Sequence, residues 1–290
     1  LFCDVYRDTG VMTPETLENA IYKAKKEGLN VTAVIVVHLA GRSVDLKEIK
    51  KISIKNGLKL IADSCHALGG TYEGDPIGSC KYEHLSTFSF HPVKTITTGE
   101  GGAVTTNSKK LASAMKLMRS HNMIRTKSDD KMWKYTMNDL GYNYRLSDIQ
   151  CALGLNQLKK LPKFKKKRSQ LVKLYNLKLQ KFHPKIITPK IPRFSNPKNL
   201  SWHLYSILVD FKKIKISKKT FMKKLREEKI NTQVHYIPVH TQPYYKRLYG
   251  EAVLPGCKKY YERTISLPLF TKMNDDDIDY VVHKIGQLIK

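Results

Sequence analysis

Apolar residues in the first third of the chain follow two periods in turn. Residues 14–27 carry Leu17, Ala20, Ile21 and Ala24 at the spacing of an amphipathic helix. Thr13 fits its N-cap, Pro14 its first turn and Gly28 its stop. Residues 31–37 form a nearly continuous apolar run of strand length, the pattern of a buried parallel strand. A second helical period (Leu46, Ile49, Ile52, Ile54) spans 45–56 and ends at Gly57, and a strand follows at 58–62. With a strand-like opening at 2–5, the order is β-α-β-α-β. Short links between such elements predict right-handed crossovers and a mainly parallel sheet in an α/β fold. Ligands of such sheets bind beyond the carboxyl ends of the strands.

The pattern then changes. Residues 86–90 read as a β-branched and aromatic strand that runs into a turn carrying Lys94, and a glycine-rich return leads to a second strand at 103–106. A helix is expected at 108–120 and a mixed loop at 121–135. Gly141 and Asn143 mark a turn, and Ser147 caps a helix with Ile149, Ala152, Leu153, Leu155 and Leu158 on one side. Pro162 opens or kinks a further basic helix over 163–182, with Leu171, Leu174 and Leu177 as core. A boundary here predicts a large domain, 1–161, and a smaller C-terminal α+β domain, 162–290, joined through a stretch punctuated by Pro184, Pro189, Pro192 and Pro197. The smaller domain reads as a strand at 202–209, a helix at 217–229, a strand at 231–235, an aromatic and histidine-rich loop at 235–245, and helices at 254–262 and 275–289.

Composition narrows the classes. The 290 residues, 41% hydrophobic, suffice for a large core. No apolar run approaches the roughly eighteen residues of a membrane span. Lys and Arg number 52 against 25 Asp and Glu, a net charge of +27. These cations are spread along exposed helical positions without a nucleic-acid module, so they read as solvated surface whose field favours phosphate-bearing ligands. Five scattered cysteines without a CxxC pair argue against a disulfide framework or structural zinc and fit a reducing cytoplasm. His235 and His240 lack a third ligand at metal spacing, so no metal site is expected.

Three residues stand out against this background. Lys94 sits in a frame fixed by Pro92, Gly99, Gly101 and Gly102. Desolvation would turn such a lysine towards the nucleophilic amine, whereas solvated surface is the ordinary state of an arbitrary lysine. Asp63 stands at the carboxyl end of the 58–62 strand, where it is either a helix N-cap or a carboxylate for a cationic ring nitrogen. His66, three residues on, taken alone reads as a core or surface histidine.

Four stretches in order carry a resemblance: Ile61-Ala-Asp-Ser-Cys-His-Ala-Leu-Gly69, Ser89-Phe-His-Pro-Val-Lys94 with Thr98-Gly-Glu-Gly-Gly102, Gly141-Tyr-Asn-Tyr-Arg145, and Val234-His-Tyr-Ile-Pro-Val-His240. Together they resemble the sugar aminotransferases of the DegT/DnrJ/EryC1/StrS family, pyridoxal-phosphate enzymes of aspartate aminotransferase-like fold (fold type I). The likeness runs from residue 1 to the C-terminus. It implies that Lys94 bonds the cofactor aldehyde and shuttles protons, and that Asp63 partners the pyridinium nitrogen. It places His66 near the phenolic oxygen and Ser89 at the phosphate. Asn143 would reach the phosphate from the other chain of a homodimer, so that each active site is shared. Arg145 has the chemistry of a phosphate or uridine ligand, and His235, Tyr236 and His240 resemble a substrate-side loop.

The Phe-His-Pro-Val-Lys wording and His66, where many relatives carry Gln, are similar to members that aminate C4 of a UDP-linked 4-keto-6-deoxy-N-acetylhexosamine. Those enzymes serve surface amino sugars of the pseudaminic acid kind, with glutamate as the expected donor. The competing expectations are amination of another nucleotide-linked keto sugar, and a truncated non-catalytic paralogue serving as a binding or regulatory subunit. Members that dehydrate at C3 replace the lysine with histidine, so Lys94 favours transamination. The chain opens on Leu1 rather than Met, which predicts an upstream segment. In the family that segment holds a Gly-Thr/Ser phosphate turn and a ring that stacks on the pyridine, and residues 1–290 offer no candidate for either.

Overall fold

The computed structural model describes residues 1–125, 133–192 and 194–289. In chain order its elements are α1 (Pro14–Lys26), β1 (Ala33–Val37), α2 (Leu46–Lys55), β2 (Lys59–Asp63), a short pair β3 (Thr71–Tyr72) and β4 (Asp75–Pro76), then β5 (Leu85–Ser89), β6 (Gly102–Thr105) and α3 (Lys109–Arg119). A second short pair, β7 (Met123–Ile124) and β8 (Thr136–Met137), precedes α4 (Asp148–Leu179) and β9 (Ile186–Ile187). The chain closes with β10 (Tyr205–Val209), α5 (Lys218–Glu227), α6 (Pro243–Tyr249), α7 (Pro255–Arg263), β11 (Thr264–Leu267) and α8 (Asp275–Leu288).

The first sheet has the order β1-β2-β5-β6, with β1, β2 and β5 parallel and β6 antiparallel to β5. The fold is therefore α/β with a mainly parallel sheet. Sequence chemistry explains the helix starts. Thr13 and Thr16 exchange side-chain and backbone bonds in a capping box that opens α1, and Asp45, Ser108, Ser147 and Ser217 each accept an N–H at the start of α2, α3, α4 and α5. One apolar core joins α1, α2 and the strands through Leu17, Ile21, Ile49, Val36, Leu60 and Phe88. A second core gathers the C-terminal half of α4 with β10, β11, α5 and α8 through Leu171, Tyr175, Tyr205, Phe221, Ile265 and Ile285. The strands of this second region run in the order β11-β10-β9, all antiparallel.

Several expectations are corrected. Residues 2–5 form no strand; the Asp4 carboxylate instead accepts the N–H groups of Gly256 and Cys257 at 2.9 and 2.8 Å, capping α7. The run at 31–37 is not buried throughout: β1 is an edge strand covered by α1 and α2 on one face, so Val34 and Val36 are buried while Ile35 is 61% exposed. Helix α4 is continuous through Pro162. Its middle is held from outside, because Leu161 packs on Gly69 and Lys165 Nζ donates to the Gly69 carbonyl at 2.8 Å. The strand expected at 202–209 is present as β10 but begins at Tyr205, and it is buried on both faces. Residues 231–235 make only an isolated bridge, Gln233 to Ser266. Of the loop expected at 121–135, residues 126–132 lie outside the described residues, and its two ends pair as β7 and β8.

The two cores meet at a tight backbone crossing. Gly41 has φ +93°, and a Cβ there would overlap the Ser201 carbonyl oxygen. Beside it, His203 N donates to the Ala40 carbonyl at 3.3 Å and Ser201 Oγ to the Leu68 carbonyl at 2.5 Å. Gly41→Ala is expected to combine left-handed strain with that overlap and to lower the unfolding free energy by at least about 1–3 kcal/mol, read from urea unfolding. An unchanged midpoint would contradict the crossing.

Candidate functional site

The site is assembled at the carboxyl ends of the three parallel strands. His38 follows β1, Asp63 ends β2 and Ser89 ends β5. The ladder continues past the strand ends, with His38 N donating to the Asp63 carbonyl at 3.0 Å and Ser64 N to the Thr87 carbonyl at 2.9 Å. Asp63 then turns into the 64–70 loop. Its Oδ1 accepts the Cys65 N–H at 3.0 Å, so the turn is fixed by the carboxylate itself. The Cys65 thiol also meets the Asp63 carboxylate, and that contact raises the thiol.

Lys94 rides a turn held by backbone bonds and by the side chains of Ser89, His91, Thr97 and Thr98. Its N–H donates to the His91 carbonyl at 2.9 Å, Phe90 N to the Gly101 carbonyl at 2.8 Å, and Thr98 N to the Phe90 carbonyl at 3.0 Å. Ser89 Oγ accepts the His91 N–H at 3.4 Å. Gly101, at φ +154°, lies where a Cβ would overlap Thr98 Oγ1, so the glycine return is required by space as well as by dihedral. Gln150 Nε2 donates to the Glu100 carbonyl at 3.0 Å and ties the return to the start of α4. Lys94 itself is half-buried.

Around this cation and carboxylate stand neutral rings. The Lys94 charge acts on Cys65, His66, His203 and His235, and the Asp63 charge on His38, Cys65, His66 and Tyr236. Burial pushes His38 and His66 down to about 4, and His203 to about 2. For His66 the Lys94 charge adds to burial, while Asp63 opposes it. Burial also lowers His235, whose Nδ1 lies 2.8 Å from Ser266 Oγ. The Cys65 thiol is pushed up to about 11, chiefly by burial, and burial raises the Tyr236 phenol. Tyr236 Oη lies 3.5 Å from His66 Nε2 and so brings the 235–240 loop to the strand ends.

The structure therefore brings together Lys94, Asp63, His66, His235 and Tyr236, with Ser89 on the frame of the lysine turn. Asn143 and Arg145 are not part of this group. They lie exposed on the 140–145 strip, where Asn143 bridges Ser120, and neither side chain makes a hydrogen bond among the described residues. His240 is also elsewhere, against the Phe2 ring (centroids 6.1 Å apart) and near Asp4 and Lys246. A cleft of about 870 Å³ runs along the β1 edge past Phe2 and α1 to His235 and Tyr236, without Lys94 or Asp63 in its walls. Among the described residues no group of three His, Cys, Asp or Glu side chains is disposed to hold a metal ion.

Sequence reasoning missed His38, His203 and Cys65. His38 carried a usable signal, since it follows a strand as Asp63 does. His203 carried none, because it reaches the site only through the crossing of residues 199–203 over Gly41.

The fold is thus α/β, with a lysine and a carboxylate among buried neutral imidazoles at the carboxyl ends of its parallel strands. The profile of the DegT/DnrJ/EryC1/StrS aminotransferase family matches residues 1–286. A relative named UDP-4-amino-4,6-dideoxy-N-acetyl-beta-L-altrosamine transaminase, from Campylobacter jejuni, is 39% identical over 289 residues, covering 100% of this chain and 73% of its own. Among solved structures, Helicobacter pylori PseC, described as an aminotransferase involved in the biosynthesis of pseudoaminic acid, superposes with a TM-score of 0.88 at 32% identity, covering 100% of this chain and 73% of that one. A sugar aminotransferase from Streptococcus pneumoniae in its PLP-form gives a TM-score of 0.84 at 25% identity, covering 99% and 74%. The chain belongs to the DegT/DnrJ/EryC1/StrS aminotransferase family.

The buried imidazoles make stability acid-sensitive. Unfolded histidines take up protons below about pH 6.5 that the folded His38, His66 and His203 refuse, so stability falls as pH drops from about 6.5 towards about 4. Urea unfolding is expected to show a loss of at least about 2 kcal/mol between about pH 7 and about pH 5. A flat profile would mean that these rings titrate freely in the fold.

Proposed function

We propose that the protein is a pyridoxal phosphate-dependent aminotransferase. In this reading it moves an amino group from glutamate to the C4 keto carbon of a UDP-linked 4-keto-6-deoxy-N-acetylhexosamine, in the synthesis of a pseudaminic acid-like surface sugar. The sugar assignment is supported by the names of the C. jejuni and H. pylori relatives. The observation that carries the cofactor is local: a strand-end carboxylate, Asp63, whose turn is fixed through one of its own oxygens, stands with a half-buried lysine on a rigid turn, and the two charges reach the same Cys65 and His66. That donor set fits a cationic ring nitrogen and an aldehyde. The PLP-form of the S. pneumoniae relative supports the same cofactor.

When bound, the cofactor supplies an electron sink for a carbon that must lose or gain a proton. Lys94 Nζ would hold the cofactor through its aldehyde carbon and would carry the proton to and from the substrate carbon. The Asp63 carboxylate would keep the proton on the ring nitrogen. His66 Nε2 would serve the phenolic oxygen, and Ser89 Oγ the phosphate. On the substrate side, His235 and Tyr236 close over the strand ends, and the Arg145 guanidinium suits a diphosphate. His240, on the rim beside Phe2, is assigned to the sugar nucleotide rather than to the reacting atoms.

The site as proposed needs a second copy of the chain, with Asn143 of the partner subunit at the phosphate. The exposure of Asn143 supports this, as do the exposed apolar neighbours Leu140, Tyr142, Tyr144, Ile149 and Leu155. A reducing cytoplasmic setting is proposed on the five free cysteines. No helix among the described residues is long and apolar enough to cross a membrane.

Purified protein is expected to be yellow, and Lys94→Ala to lose that colour with at least about a thousandfold of the amination rate, measured on a panel of UDP-linked keto sugars. A colourless wild type, or an active Lys94→Ala, would overturn the reading. Sharing of the site has its own test. If Lys94→Ala and Asn143→Ala are both inactive, mixing and re-equilibrating them should restore about a quarter of wild-type activity, because half the dimers then hold one intact site. No gain on mixing would assign Asn143 to its own chain.

A further inference from the structure

Two residues that the function does not use, Ala40 and His203, converge on His66. The Ala40 N–H donates to His66 Nδ1 at 3.3 Å, within the buried turn after β1. The carbonyl of the same Ala40 accepts the His203 N–H at 3.3 Å. The His203 ring then lies on the His66 ring, with centroids 4.3 Å apart and planes 37° apart. His203 Nδ1 is buried without a hydrogen bond. One peptide therefore holds both histidines, and Gly41 beside it is what lets the segment carrying His203 come so close.

A backbone N–H can only donate, so the ring nitrogen that receives it must carry a lone pair. We propose that Ala40 and His203 fix His66 as the neutral tautomer with its proton on Nε2, so that His66 is a permanent hydrogen-bond donor into the site and His203 is its positioning residue. Protonating His66 would require breaking the Ala40 bond and placing a cation against the buried His203 face. The charged and titratable groups around the ring are Lys94, Asp63, His235, Tyr236, Cys65 and His203, and the Arg168 charge reaches His203 from α4. Burial, the Lys94 charge and His235 oppose protonation of His66, and Asp63 alone favours it. Use of the donor at the cofactor's phenolic oxygen rests on the proposed function, whereas the tautomer does not.

The test is NMR of isotope-labelled imidazole nitrogens in the full chain, with and without pyridoxal phosphate. In both forms His66 should show a protonated Nε2 and a bare Nδ1, unchanged from about pH 8 to about pH 5. His203→Ala should admit water to the ring face and raise the His66 midpoint by at least about one pH unit, whereas His203→Phe, which keeps the covering ring, should leave it low. A proton on Nδ1, or an ordinary titration near about pH 6.5 in the wild type, would overturn the proposal without any variant having to fold. A folded His203→Ala with an unmoved midpoint would remove His203 from it. His66→Gln offers a second check, since its amide can accept from Ala40 and donate outward without ever becoming charged. The holoenzyme's absorbance should then keep its pH profile in His66→Gln and shift in His66→Phe; equal shifts would deny the donor role. A chain without aminotransferase activity that still shows the tautomer would sink the proposed function and leave this inference standing.

Discussion

The close approach of Gly41 to the Ser201 carbonyl is the constraint on which the site depends. Only a residue without a side chain, in a left-handed conformation, lets the 199–203 segment cross the turn after β1. From that crossing come the Ser201 bond to Leu68, the His203 bond to Ala40 and the Ala40 bond to His66. The loop leaving Asp63 is thus held on both sides, by the second core at Leu68 and by α4 at Gly69. A carboxylate at a strand end is ordinary, but one whose following loop is clamped can be kept aimed at a ligand.

Electrostatically the site inverts the rest of the molecule. The surface is dense with solvated lysines, and the net charge is +27. At the strand ends one lysine and one carboxylate stand among histidines that burial keeps neutral. Neutral rings add donors and acceptors without competing with Lys94 for a proton, which suits chemistry that moves protons between one amine and one carbon. The outer charge is of the right sign to gather an anionic sugar nucleotide from solution.

Much of this was legible in the residues. The α-β-α-β order from Pro14 to Asp63, the caps at Thr13 and Ser147, the strand-end placement of Asp63 and the glycine frame of Lys94 follow from local pattern and turn chemistry, and the structure contains them, without the first strand expected at 2–5. The errors share one cause, which is that local pattern does not say what lies on the far side of an element. The run at 31–37 looked doubly buried but has helices on one face only. Pro162 looked like the opening or kink of a separate helix because the support of α4 there, Leu161 and Lys165 against Gly69, is distant in sequence. His203 was silent because its role depends on a crossing between segments some 160 residues apart. The roles of Ser89, Asn143, Arg145 and His240 came from resemblance, and the geometry of a single chain brings only Ser89 to the lysine turn.

The central claim is that Lys94, among 52 basic residues, is the one that bonds an aldehyde cofactor. Hydride reduction of the cofactor-loaded protein, followed by peptide mass mapping, tests it directly. The account predicts the mass of one reduced cofactor per chain, on Lys94. A label on any other lysine, or none in a protein that binds the cofactor, would contradict it.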